Sequence, residues 1–203
     1  MRRLITAAVA AVLMGSVAQG AASVMIGGAH DLQDHDGTTD QLTEICQPCH
    51  TPHGAKATQS IPLWNHTATS TDFSSSLYTS ATMSQAMPEP AGASLACLSC
   101  HDGTVAMDAY GSFTADGPLM GAINGGAADV GTSLTNDHPV GITYATAVTD
   151  GDALVAEATV QAAGYLIAGK VECSSCHDAH STATSLLRSP MANSALCTVC
   201  HAK

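Results

Sequence analysis

Cys173-Ser174-Ser175-Cys176-His177-Asp178-Ala179-His180, followed by Cys197-Thr198-Val199-Cys200-His201, is the stretch on which the reading of this chain turns. Two earlier segments, Cys46-Gln47-Pro48-Cys49-His50 and Cys97-Leu98-Ser99-Cys100-His101, repeat the pattern, and the four copies use all 8 cysteines. C-x-x-C-H is the attachment pattern of c-type haem. Two thiols three positions apart lie on one side of a helical turn, where each can form a thioether with a haem vinyl group. The His that follows is carried beneath the iron as its proximal ligand. Disulfide scaffolds, paired-cysteine zinc sites and thioredoxin-like motifs also use closely spaced cysteines, but none requires His after every second Cys. With 10 His in 203 residues, chance would place one after all four pairs with a probability on the order of 10⁻⁵. The pattern therefore reads as four covalently bound haem c groups. The thioethers fall to Cys46, Cys49, Cys97, Cys100, Cys173, Cys176, Cys197 and Cys200, and the proximal ligands are His50, His101, His177 and His201.

The composition agrees with a core supplied by something other than side chains. There are 2 Phe, 4 Tyr and 1 Trp against 18 Gly, and large aromatic residues ordinarily dominate core burial. Four macrocycles would provide the missing apolar mass. At the N-terminus, Arg2 and Arg3 precede an apolar run from Leu4 to Met14 and then small residues, which reads as a signal peptide over residues 1–22. That run is shorter than the roughly 20 residues that span a bilayer. The expectation is an exported single domain over 23–203 with no membrane span, extracellular or at the cell surface, with the periplasm as alternative. Haem attachment outside the cytoplasm fits that route. Losing Arg2 and Arg3 takes the net charge from −11 to −13. An acidic chain excludes nucleic acid as a partner and allows basic redox partners, although most such charge serves solubility.

Six His lie outside the motifs, enough to cap four irons: His30, His35, His53, His66, His138 and His180. Cys49-His50-Thr51-Pro52-His53 and Cys176-His177-Asp178-Ala179-His180 both read C-H-x-x-H. The tether from His50 to His53 is too short to wrap round the macrocycle to its opposite face. His53 and His180 are therefore expected to ligate neighbouring haems. His138 precedes Pro139, which holds it in extended backbone, and His30 lies near the expected mature N-terminus with Asp31 placed to orient its ring. The expected distal ligands are His30, His53, His138 and His180, with His66 as the alternate and His35 at the surface. Met83, Met87, Met107, Met120 and Met191 are alternative sixth ligands, though methionine more commonly fills core gaps.

The fold class this predicts is mostly coil, with short α-helices at the motifs and minimal β-structure, wrapped around a four-haem stack. Between motifs, 111–131 is Gly/Ala/Asp-rich and reads as loop. Residues 154–166 suit a helix, 142–148 could form a short strand, and 179–193 has room for one or two turns of helix.

Ala29-His30-Asp31-Leu32, Cys49-His50-Thr51-Pro52-His53-Gly54, Pro62-Leu63-Trp64-Asn65-His66, Cys97 to Gly103, His138-Pro139-Val140-Gly141 and Cys173 to His180 together resemble the doubled-CXXCH multihaem cytochromes of metal-reducing bacteria. Length, export signal and haem count are similar to the outer-surface tetrahaem cytochromes, OmcE type, that polymerise into nanowires. The resemblance covers nearly the whole mature chain, though the stretch from Ala115 to Asp129 carries no motif of that family. The resemblance implies bis-His haems in alternating parallel and T-shaped pairs, subunits stacked end to end, and one distal His reaching into the next subunit. His30, near a free N-terminus, is the expected one. The implied role is electron transfer rather than catalysis, with redox-partner cytochromes and extracellular acceptors as partners. A monomeric shuttle is the first alternative. A multihaem reductase would need an open or Lys-ligated iron, whereas the domain has only Lys56, Lys170 and Lys203 and no C-x-x-C-K. A structural or haem-storage role is the third possibility.

Overall fold

The computed structural model describes residues 25–34, 44–56, 61–83, 85–113, 115–149 and 153–202. The expected signal peptide and His35 lie outside them. Among the described residues the chain is mostly coil, with five short α-helices and no paired strands, as the sequence predicts. Helix α1 is Gly92–His101, α2 Tyr144–Thr149, α3 Glu157–Ala162, α4 Cys173–Cys176 and α5 Ala195–Thr198. Single turns of 3-10 helix at Thr184–Leu186 and Ala192–Ser194 fill the segment between the last two motifs. No helix among the described residues is long and apolar enough to cross a membrane.

Two expectations about local structure are corrected. Residues 142–148 do not form a strand: Tyr144 opens α2 instead. Its side chain is 2% exposed, and its hydroxyl donates toward Val155 O at 2.8 Å and Cys200 O at 3.0 Å. That anchoring decides the conformation over the β-propensity of Thr and Tyr. The helix expected over 154–166 shrinks to α3, because Leu154 and Val155 are drawn into a bridge with the fourth motif. At its other end Gly164 turns out of the helix at φ +78°.

Apolar packing is divided into small groups. Tyr144, Val160, Leu166 and Val171 form one, beneath the fourth motif, and Phe73, Leu98 and Leu134 form another against α1. Two buried carboxylates tie these parts together. Asp102, just past α1, accepts from Thr71 Oγ1 at 2.8 Å and from Thr104 N at 2.9 Å, and also from Thr69 Oγ1. Glu172 accepts from Ser94 N at 3.2 Å and from the Ser94 hydroxyl, while Cys173 N donates to Ser94 Oγ at 3.1 Å. Ser94 sits at the start of α1 and Glu172 caps α4, so this knot holds the second motif against the third. Glu172→Ala leaves two buried donors of Ser94 without an acceptor. The expected loss is about 3 kcal/mol of unfolding free energy, read from urea denaturation.

Candidate haem-binding site

All four motifs turn the chain so that the second Cys and its His follow one helical turn. His50 N donates to Cys46 O at 2.8 Å, His177 N to Cys173 O at 3.0 Å, and His201 N to Cys197 O at 2.9 Å. The second motif makes its turn within α1. None of the eight cysteines pairs in a disulfide. Burial pushes the Cys49 thiol up to about 11 and the Cys100 thiol higher still. Cys97 donates a hydrogen bond to Cys173, which pulls the Cys173 thiol down and brings the attachment points of the second and third motifs side by side.

The first and third motifs are held by the same backbone strap, which sequence reading missed. In the first, His50 Nδ1 donates to Pro62 O at 2.8 Å, Thr51 N to Leu63 O at 2.8 Å, and Asn65 N to Cys49 O at 2.9 Å. In the third, His177 Nδ1 donates to Ser185 O at 2.8 Å, Asp178 N to Leu186 O at 2.7 Å, and Arg188 N to Cys176 O at 2.9 Å. The pivots, Leu63 and Leu186, sit in the left-handed region at φ +58° and +56°. The correspondence extends to side chains. Asn65 Nδ2 donates to Gln47 O and Arg188 Nη1 to Ser174 O, the carbonyl of the residue after the first Cys in each motif. Residues 153–155 strap the fourth motif alike, with Ala202 N donating to Ala153 O and Val155 N to Cys200 O, both at 2.8 Å. Only the recurrence of a Leu after each C-H-x-x-H, at Leu63 and at Leu186, hints at this in the sequence.

The second motif uses the Gly-rich stretch that carries no recognisable motif. His101 Nδ1 donates to Ala128 O at 2.8 Å, and Val130 N to His101 O at 2.7 Å. This approach requires Gly103 (φ +73°) and Gly121, because a Cβ at either would lie within 2.9 Å of the Asp129 carboxylate. The glycines there allow a loop to reach an imidazole.

The His outside the motifs fall into distinct places. His180 faces His50 with ring centroids 6.2 Å apart and planes 17° from parallel. His30 faces His101 at 6.0 Å and 60°, and His138 faces His201 at 6.3 Å and 76°. An iron with bonds of ~2 Å to both nitrogens puts ring centroids roughly 6 Å apart, so the residues present fit a six-coordinate haem at each pair. Nδ1 is engaged in four of these rings: His30 to Ala179 O at 3.0 Å and His138 to Pro139 O at 3.0 Å, beside the strapped His50 and His101. Such bonds fix the tautomer and leave Nε2 for metal. Contrary to expectation, Asp31 does not orient His30: its carboxylate takes Gly27 N at 2.8 Å, and a backbone carbonyl holds the ring. His53 is exposed, and among the described residues no imidazole stands opposite His177.

His66 is unsuited to ligation. It is 1% exposed, with Nδ1 at 2.9 Å from Thr67 O and Nε2 at 3.1 Å from Ala106 O. Burial, above all, holds its pKa below the ordinary 6.5. The unfolded chain therefore takes up this proton first, and the stability that neutral His66 contributes is complete above 6.5 and lost as the pH falls below it. The expected slope from this group approaches 1.4 kcal/mol per pH unit at most, and His66→Leu should remove that component from denaturation curves measured between pH 7 and 5.

Paired C-x-x-C-H turns with facing imidazoles form an arrangement suited to covalent attachment and axial ligation of haem. Residues 167–203, which hold the third and fourth motifs, match the family model of the doubled CXXCH motif, and this supports placing the chain among multihaem c-type cytochromes. No curated protein matches the chain.

Proposed function

We propose that this chain is an exported tetrahaem c-type cytochrome that conducts electrons outside the cell as the repeating subunit of a filament. The observation that carries the reading is the set of three imidazole pairs at 6.0–6.3 Å, each made of one motif His and one His from elsewhere. On this reading His180 is the distal ligand for the first motif, His30 for the second and His138 for the fourth. Each haem, when bound, supplies a one-electron couple with both axial positions filled. The chain's residues space the groups, fix the rings through Nδ1 and, by strengthening each imidazole as a donor, favour low potentials.

His177 then lacks a partner imidazole of its own chain among the described residues, and exposed His53 lacks a target. Ligation of one copy's His177 iron by His53 of another satisfies both. Repeated head to tail, that contact does not close and builds a filament. His30, the ligand expected to cross between copies, faces His101 of its own chain at 6.0 Å, which favours a role within the chain. Redox-partner cytochromes and extracellular acceptors complete the proposed path.

Electron paramagnetic resonance tests the pairs. The near-parallel His50–His180 rings predict a rhombic low-spin ferric signal, and the tilted pairs predict highly anisotropic ones. A dominant high-spin signal responding to cyanide or nitrite would instead favour a reductase. Electron microscopy of the secreted fraction separates a filament from a monomeric shuttle.

A further inference from the structure

Trp64 is the chain's single tryptophan, 7% exposed, and its indole Nε1–H has no hydrogen-bond partner among the described residues. A buried donor left without an acceptor is destabilising, and native proteins seldom keep one. The strap does not need this donor. At the equivalent position of the third motif, between Leu186 and Arg188, stands Leu187, which forms the same bridge to its motif His that Trp64 forms to His50. Tryptophan rather than an aliphatic residue at this place calls for a reason in its N–H.

The surroundings specify the acceptor. Trp64 lies between the first motif, which its backbone bridges at His50, and the second, reached through His66, whose ring is 6.4 Å from its own and whose Nε2 is 3.5 Å from Cys100 Sγ. Lys56 is in the same corner: its N–H bonds Trp64 O at 2.7 Å and its ammonium bonds Thr67 Oγ1 at 2.9 Å. A buried neutral donor, on a segment to which a cation is tied three residues on at Thr67, fits an anionic oxygen acceptor. Haems at these two motifs bring such groups in their propionates.

We propose that Trp64 Nε1–H, with the Lys56 ammonium, binds a haem propionate carboxylate at the junction of the first and second motifs. This rests on the haem reading above. The bond withdraws electron density from that macrocycle and makes its iron easier to reduce.

The test uses the haem-loaded full chain. In the wild type, the single indole N–H proton resonance should lie downfield, as for a donor to carboxylate. Trp64→Phe, which keeps an aromatic ring and loses the donor, should lower one of the four midpoint potentials and leave three in place. Lys56→Gln, at a partly exposed site and without change in packing, should lower the same one. The spectrum marked by His180→Ala or by His30→Ala identifies the affected haem as the first or the second. An indole resonance typical of an unbonded N–H, or four unchanged potentials in Trp64→Phe, would overturn the assignment. A wild type carrying fewer than four haems would count against the motif reading instead.

Discussion

Replacing His180 with alanine should turn one iron in four high-spin and leave the other three low-spin. His180 faces His50 across 6.2 Å, and it stands on a short loop where Asp178 accepts its backbone N–H at 2.9 Å. The side chain is 53% exposed. Little packing is lost with it, so the fold is expected to survive the substitution. The spectroscopic change is large by contrast, because no other described imidazole stands opposite His50. Added imidazole should restore the low-spin spectrum. Four low-spin signals in the unsupplemented variant would show that His180 is not a ligand.

The second large effect is on assembly. His53→Ala should abolish filaments, visible as a shift from polymer to single chains in sedimentation and microscopy. Its backbone carbonyl already accepts from Thr51 Oγ1 at 2.8 Å, a bond that the substitution preserves. The local turn therefore survives, and the loss falls on contacts between copies. The contrasting substitution is His30→Ala. It should perturb the haem of the second motif inside each chain while filaments still form. Filaments that survive His53→Ala but vanish in His30→Ala would reverse the assignment of the crossing ligand.

These two experiments follow from how much of the molecule could be read before its structure. The C-x-x-C-H turns and the predominance of coil were legible because they depend on residue identity and short-range chemistry. Which carbonyl receives each motif imidazole was not. Pro62, Ala128 and Ser185 contribute only main-chain oxygen, and a backbone acceptor leaves no mark on residue type. The Gly-rich stretch ending near Asp129 looked featureless for a related reason: Gly103 and Gly121 are there for what would collide with a Cβ.

Asp31 misled because a carboxylate next to a His suggests a bond to its ring, whereas the carboxylate closes its own turn on Gly27 and the His30 ring reaches across to Ala179. The strand expected near Tyr144 failed to form because one buried hydroxyl tied to Val155 and Cys200 outweighed local preference. His66 shows the limit of counting candidates. Sequence supplies the imidazole, but only burial and two carbonyl oxygens disclose that neither nitrogen is open.

The most direct test is the mass of the intact chain purified from an export-competent, haem-attaching host and measured under denaturing, reducing conditions. Four haems carried covalently on a single polypeptide, with all eight thiols refractory to alkylation, is the result expected. A colourless chain with eight reactive thiols, or one whose mass shows zinc or fewer than four haems, would contradict it.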